Sequence, residues 1–254
     1  MKRLLLCSLI YASFALAQNK LPPAGGISKS QADAILEELR QMRAILEKLQ
    51  LKSPAQPAAA APQPPPPAPP ARTALNLEAS LDHIGKDDAP FTIVEFSDYE
   101  CGFCRQFHLT GFRELRKNFI ETGKVRFYSL DLPLEMHANA KTGALAAHCA
   151  GEQGQYWSMR EALISNGSRL SPDMITDIAR GLYLDVPAIQ KCIQAAKYTP
   201  VVERAMKQAS ALSITGTPTF IIGKSTREGV DGSLIVGAIP YASFEAELKK
   251  LEDN

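Results

Sequence analysis

Residues 91–108 read FTIVEFSDYECGFCRQFH, an apolar run that leads straight into Cys101-Gly102-Phe103-Cys104. Phe91, Ile93, Val94 and Phe96 are aromatic or β-branched, and Glu95 is the one charge among them. That composition predicts a strand covered on both faces, as at the centre of an α/β domain. Beyond Cys101 the spacing becomes helical, with Phe103, Phe107, Phe112 and Leu115 three to five residues apart. A cysteine on the first turn of a helix meets orphan N–H groups and the positive end of the helix dipole, both of which favour its thiolate. Cys104 stands one turn further on, near enough to close a disulfide with Cys101. A dithiol at a strand-to-helix turn is a redox device.

Two plainer readings compete with that one. Zinc sites also use C-x-x-C, but they bring a second pair of ligands at close spacing. Here His108, His137, His148, Cys149 and Cys192 are scattered singly, so neither a metal ion nor a cofactor is expected. A purely structural disulfide across two intervening residues would close a small, strained ring, and strained disulfides are the labile ones.

The run DDAPFTIVEFSDYECGFC over 87–104 resembles the active-site entry of bacterial DsbA-like thiol:disulfide oxidoreductases of the thioredoxin superfamily. Gly216-Thr217-Pro218-Thr219-Phe220 resembles the cis-proline loop of that superfamily, and HANAKTGALAAHCAGEQGQYW over 137–157 is similar to its helical insertion. The likeness covers roughly 81–252. It implies an α/β thioredoxin fold with a helical subdomain inserted at about 138–212. It implies that Cys101 is the nucleophile and Cys104 the resolving thiol. Thr217, Pro218, Gly102 and Phe103 are then the substrate-facing residues. Glu95 matches the buried acid that moves the resolving proton, with a raised pKa expected from burial; the alternative is an ordinary edge charge. The chain departs from many relatives in having Gly102 in place of proline. Phe103 brings no positive charge to Cys101, so its thiolate depends on the helix and nearby N–H groups.

The rest of the chain frames this domain. Residues 1–17 carry Lys2 and Arg3, an apolar run and Ala15-Leu16-Ala17, the pattern of a secretory signal peptide. That predicts export to the periplasm. Of five cysteines, Cys7 would leave with the signal, and an even number suits an oxidising compartment. Residues 18–52 hold an amphipathic helix. Ser28 and Gln31 have capping-box spacing, and Ala32, Ile35, Leu39, Met42, Leu46 and Leu49 repeat at threes and fours, widened by Leu36 and Ile45. Residues 53–72 are almost entirely proline and alanine, an extended linker. A solitary apolar helix on such a stalk predicts homo-oligomerisation through 28–52; the alternative is a helix folded back on its own domain.

Within 73–254, a short strand or extended arm is expected around 75–84 and a second strand over 124–130. A helical pattern runs throughout 138–212, with new helices starting at Ser171-Pro172-Asp173 and at Asp185-Val186-Pro187. Two strands near 217–222 and 233–236 form a hairpin, and a closing helix spans 241–251. Cys149 and Cys192, once Cys7 is gone, have no partner but each other, so a structural disulfide is expected; the alternative is two buried thiols. His108 and His137 read as structural, and Tyr156 and Trp157 as packing residues. Lys and Arg total 28 against 27 Asp and Glu, so nothing points to nucleic acid or an anionic membrane.

Three functions remain open at this level. They are a dithiol oxidase acting on secreted proteins with a membrane redox partner, a disulfide isomerase or reductase, and a client-binding chaperone or scaffold whose redox pair is incidental.

Overall fold

The computed structural model describes residues 28–52 and 72–253, apart from the side chains of 46–52. The chain divides into two compact units, 1–65 and 66–254. In the first, α1 spans Lys29–Lys52. Its start is a reciprocal capping box: the Ser28 N–H donates to Gln31 Oε1 at 3.0 Å, and the Gln31 N–H donates to Ser28 Oγ at 3.3 Å. Ile35, Leu36, Leu39, Met42 and Ile45 are all exposed along it. The expected signal peptide, the linker up to residue 71 and the side chains of Leu46 and Leu49 lie outside the described residues.

The second unit opens with β1 (Thr73–Asn76), β2 (His83–Ile84) and β3 (Phe91–Ser97). Then come α2 (Gly102–Leu109), α3 (Gly111–Leu115) and β4 (Val125–Asp131). A helical block follows: α4 (Ala140–Gly151), α5 (Tyr156–Ser165), α6 (Pro172–Gly181), α7 (Val186–Gln194) and α8 (Thr199–Ala211). The hairpin β5 (Thr219–Ser225) and β6 (Gly229–Val236) and the closing α9 (Tyr241–Glu252) complete it.

The strands form one sheet in the order β1-β6-β5-β3-β4-β2. Only β3 and β4 run parallel, and the helical turn between them is the crossover that parallel pairing requires. Every residue of β3 is buried, as its composition predicts. Its alternation sorts the two layers. Phe91 and Ile93 pack with Phe107, Phe112, Leu115, Phe220, Phe244 and Leu248, beneath α2, α3 and α9. Val94 and Phe96 pack on the other face with Ala205, Ala209 and Ile221, beneath α8. Glu95 follows Ile93 in the alternation and therefore faces α2.

The structure corrects two expectations. The arm over 75–84 is two short strands on opposite edges of the sheet, because the chain turns between Asn76 and His83. The helical stripe after Cys101 breaks at Thr110 (φ −124°, ψ −87°), where α2 ends and α3 begins. Phe107, Phe112 and Leu115 are buried, and Phe103, on the first turn of α2, is 65% exposed. The helical stretch over 138–212 is a series of helices joined by turns, with the starts at Ser171 and Asp185 where they are expected. Ser171 and Asp185 restart it, each with its side chain accepting a backbone N–H and a proline inside the first turn.

Candidate active site

The central strand β3 delivers the dithiol to its own C-terminal end and the N-terminus of α2. Cys101 is the residue that caps α2: its sulfur accepts the Cys104 N–H at 3.4 Å. Asp98, buried at the end of β3, holds the turn before it. One Asp98 oxygen accepts the N–H groups of Glu100 (2.7 Å) and Cys101 (3.2 Å). The other accepts from the Leu134 N–H (2.7 Å) and lies 2.9 Å from His137 Nδ1. Glu100 accepts the Asn139 N–H at 2.6 Å, which ties the start of the helical block to the same turn. On the far side, Gly167 meets the Tyr99 carbonyl so closely that a Cβ there would sit 2.1 Å from it. A larger residue at 167 would push the block off the turn.

The second element of the site comes from 116 residues downstream. The Thr217–Pro218 peptide is cis, and the Thr217 carbonyl accepts from the Cys101 thiol at 3.3 Å. Gly102 has open space around its Cα, and Phe103 projects beside it. Cys101, Gly102, Phe103, Thr217 and Pro218 therefore share one surface.

The two thiols are chemically unlike. The Cys101 pKa is lowered to about 6, first by hydrogen bonding from the Cys104 thiol, with the Cys104 and Phe103 N–H groups adding to it. Burial opposes this lowering, and the Thr217 side chain adds to it. Cys104 is fully buried and pushed far above the ordinary thiol range, first by burial, then by Cys101 and by the charge of Glu95. At pH 7 Cys101 is therefore about ten parts thiolate to one part thiol, while Cys104 keeps its proton.

Beneath α2 lies a buried polar cluster. His108 Nε2 is 2.8 and 3.0 Å from the two Glu95 oxygens. Arg160 Nη2 on α5 donates to Glu95 at 2.8 Å and also bonds Ser129 Oγ on β4. Here the structure corrects the expected raised pKa of Glu95. Burial does push that carboxyl up, but His108 and Arg160 in direct contact outweigh it, and its pKa is lowered. Burial holds His108 neutral. Arg160 went unnoticed in the sequence, where it sits among polar neighbours in α5. Only its place directly after Met159 on a face with Tyr156 and Leu163 hinted at burial. His108 and His137, expected to be structural, each contact a buried acid.

Cys149 on α4 and Cys192 on α7 are joined by a disulfide, with Cα atoms 6.0 Å apart. It stitches the helical block and lies outside the redox surface.

A thioredoxin family model matches residues 80–233 of the chain. The chain belongs to the thioredoxin family. Among curated relatives, a Na(+)/H(+) antiporter NhaA 1 of Salinispora arenicola is 31% identical over 150 residues, which are 58% of this chain and 22% of that protein. The chain thus spans about a fifth of the length of such antiporter relatives. Disulfide bond formation protein D of Bacillus subtilis is 26% identical over 147 residues, 55% of this chain and 66% of the other. Among solved structures, alpha-DsbA1 of Wolbachia pipientis superposes with a TM-score of 0.62 at 22% identity, covering 70% of this chain and 94% of that one. That likeness shows a DsbA-like form of the thioredoxin fold. Among the described residues, no helix of this thioredoxin-family chain is long and apolar enough to cross a membrane.

Proposed function

We infer that the chain is a thiol:disulfide oxidoreductase that forms or rearranges disulfides in exported proteins. The observation that carries this reading is the opposed pair of thiols: Cys101 ionises near pH 6, while Cys104, three residues on, stays protonated. Cys101 forms a mixed disulfide with the client, either attacking a client disulfide as a thiolate or, when bonded to Cys104, accepting attack by a client thiolate. In the first direction Cys104 attacks that bond and expels the client reduced; in the second another client thiolate expels Cys101 and leaves the client oxidised. Glu95, ionised beside Arg160, takes the proton that Cys104 must lose. Thr217 and Pro218 offer the client an edge of backbone, with Gly102 and Phe103 leaving that approach open. Cys149–Cys192 is the structural disulfide of the helical block. No cofactor is needed, since the electrons stay in sulfur.

The finer reading places the protein in the periplasm through the signal peptide of 1–17, re-poised by a membrane redox partner. The exposed row Ile35, Leu36, Leu39, Met42 and Ile45 supports an intermolecular seam between copies of residues 28–52. Several dithiols held around one client on Pro/Ala-rich stalks would favour reshuffling of wrong disulfides over simple oxidation.

Purified protein assayed on reduced and on scrambled ribonuclease separates oxidase from isomerase. Loss of neither activity in Cys101→Ser would overturn the dithiol reading and leave a client-binding scaffold. Deletion of residues 18–72 is expected to give a monomer by light scattering that keeps oxidation and loses most reshuffling. A full-length monomer would overturn the seam.

A further inference from the structure

The polar and apolar faces of α1 are satisfied differently. On the polar face Arg40 lies 3.5 Å from Glu37, and Gln41 donates to Glu37 at 3.5 Å. On the apolar face Ile35, Leu36, Leu39, Met42 and Ile45 are each about half exposed, from 48% to 57%. The row has heptad spacing. Ala32 and Leu39 take its a positions and Ile35 and Met42 its d positions, continued in the sequence by Leu46 and Leu49. Leu36 and Arg43 then fall at e, and Glu38 and Ile45 at g, the positions that flank the seam of a coiled coil.

The charges on those flanks choose the orientation. In a parallel, in-register coil each g residue faces the e residue of the following heptad on the next copy. Glu38 then meets Arg43 of the next copy, Gln31 meets Leu36 and Ile45 meets Gln50, so unlike charges meet and like charges do not. Both Glu38 and Arg43 are exposed on α1. In an antiparallel pair e faces e and g faces g. Setting Leu39 against Leu49 and Met42 against Leu46 of the copy brings Arg43 against Arg43, which offsets the contact that Glu38 would gain with Lys52. The seam itself chooses the number of strands. Leucine at a with isoleucine at d, as in Leu39 and Ile35, favours three or more helices over two. Apolar Leu36 at e and Ile45 at g widen the row beyond a two-stranded seam, and a third helix covers them.

We propose that α1 assembles three copies of the chain as a parallel, in-register coiled coil, with Glu38 of each copy paired to Arg43 of the next. The proposal rests on the intermolecular seam inferred above and gives it a direction, a register and a strand number. Direction matters for the chemistry. Parallel helices carry every Lys52, where the linker begins, to one end of the bundle. An antiparallel pair would place the two linker starts about 36 Å apart, the rise of 24 helical residues. Dithiols tethered from one end meet a client already held by the first of them at a higher effective concentration.

The test uses full-length protein with Cys101 and Cys104 replaced by serine, so that an added cysteine cannot exchange with the dithiol. Leu39→Cys under oxidised glutathione should link like positions, joining roughly two-thirds of the chains in pairs and leaving the third strand's cysteine unlinked. Light scattering should give the mass of a trimer. Glu38→Arg alone and Arg43→Glu alone should each raise the dissociation concentration by roughly 10-fold. The two together should restore it to within about 3-fold. Should Leu39→Cys weaken assembly, Met42→Cys, at the neighbouring d position, should link in the same way. An oligomer that links at neither position is antiparallel and overturns the proposal, as does a dimer in which nearly every chain is linked. A double exchange as weak as the single ones overturns the register. Failure of the seam itself looks different: the unsubstituted protein would then run as a monomer, and this proposal would fall with it.

Discussion

The two cysteine pairs of this chain start from the same side chain and end at opposite chemistries. Cys101 and Cys104 lie at the end of the central strand, where a helix N-terminus, a carbonyl and a buried carboxylate all act on them. Cys149 and Cys192 lie on two helices packed through Tyr156, Met159, Ile189 and other apolar neighbours, 43 residues apart in sequence. The first pair is joined by a tether too short to add much chain entropy, and it is surrounded by groups that split the two thiol pKa values. The second closes a loop of 43 residues between two helices. Reactivity here comes from the surroundings, and stabilisation from the length of chain enclosed.

The largest test of this contrast is to remove each pair in turn. Cys101→Ser should lower the rate of ribonuclease oxidation by roughly 10⁴-fold or more. Joint replacement of Cys149 and Cys192 by alanine should leave that rate within about 2-fold, since the hydrogen bonds on Cys101 come from Cys104 and Thr217 and not from the second pair. A large catalytic loss in the second variant would break the comparison.

Stability should show the reverse order. Opening a loop of 43 residues releases chain entropy worth roughly 4 kcal/mol. The double alanine variant should therefore melt roughly 10 °C lower, as read by calorimetry. A variant that melts with the wild type would mean that packing of α4 on α7 already does the work.

Glu95→Gln probes the cluster that makes the first pair distinctive. It leaves the buried Arg160 guanidinium without its counter-charge, and a cost of about 3 kcal/mol is expected in urea unfolding. Because the folded pKa of Glu95 is depressed, this contribution is complete above the ordinary carboxylate pKa and is lost as pH falls through the lower folded value. The gap between wild type and variant should thus close in acid. A gap that widened in acid would place the carboxyl on the raised side after all.

The smallest effect is the titration of Cys101. Its alkylation should follow a midpoint near pH 6 and fall by roughly 10-fold between pH 7 and pH 5. Cys104 in the Cys101→Ser protein should show no comparable step below about pH 8, because burial and Glu95 still oppose its thiolate. A Cys101 midpoint in the ordinary thiol range would remove the asymmetry on which the proposed function stands.

Much of this was legible in the chain because it is local. A run of aromatic and β-branched residues ending in C-x-x-C dictates a buried strand and a capped helix, and β3 and α2 follow it within a residue or two. The capping box at Ser28 and the proline-led starts at Ser171 and Asp185 are likewise written within one helical turn.

By itself, then, the sequence determined the strand, the dithiol, the hairpin and the polarity of each helix, all of which depend on neighbours a few residues away. Tertiary structure alone decided three further things. It brought the Thr217 carbonyl to Cys101 across 116 residues, and Arg160 to Glu95 across 65. It turned the expected rise of the Glu95 pKa into a fall. It also set His108 between an acid and a cleft rather than in a plain apolar core. The reason is the same in each case: electrostatic energy depends on which charges meet in a medium of low dielectric, and only the folded chain determines that.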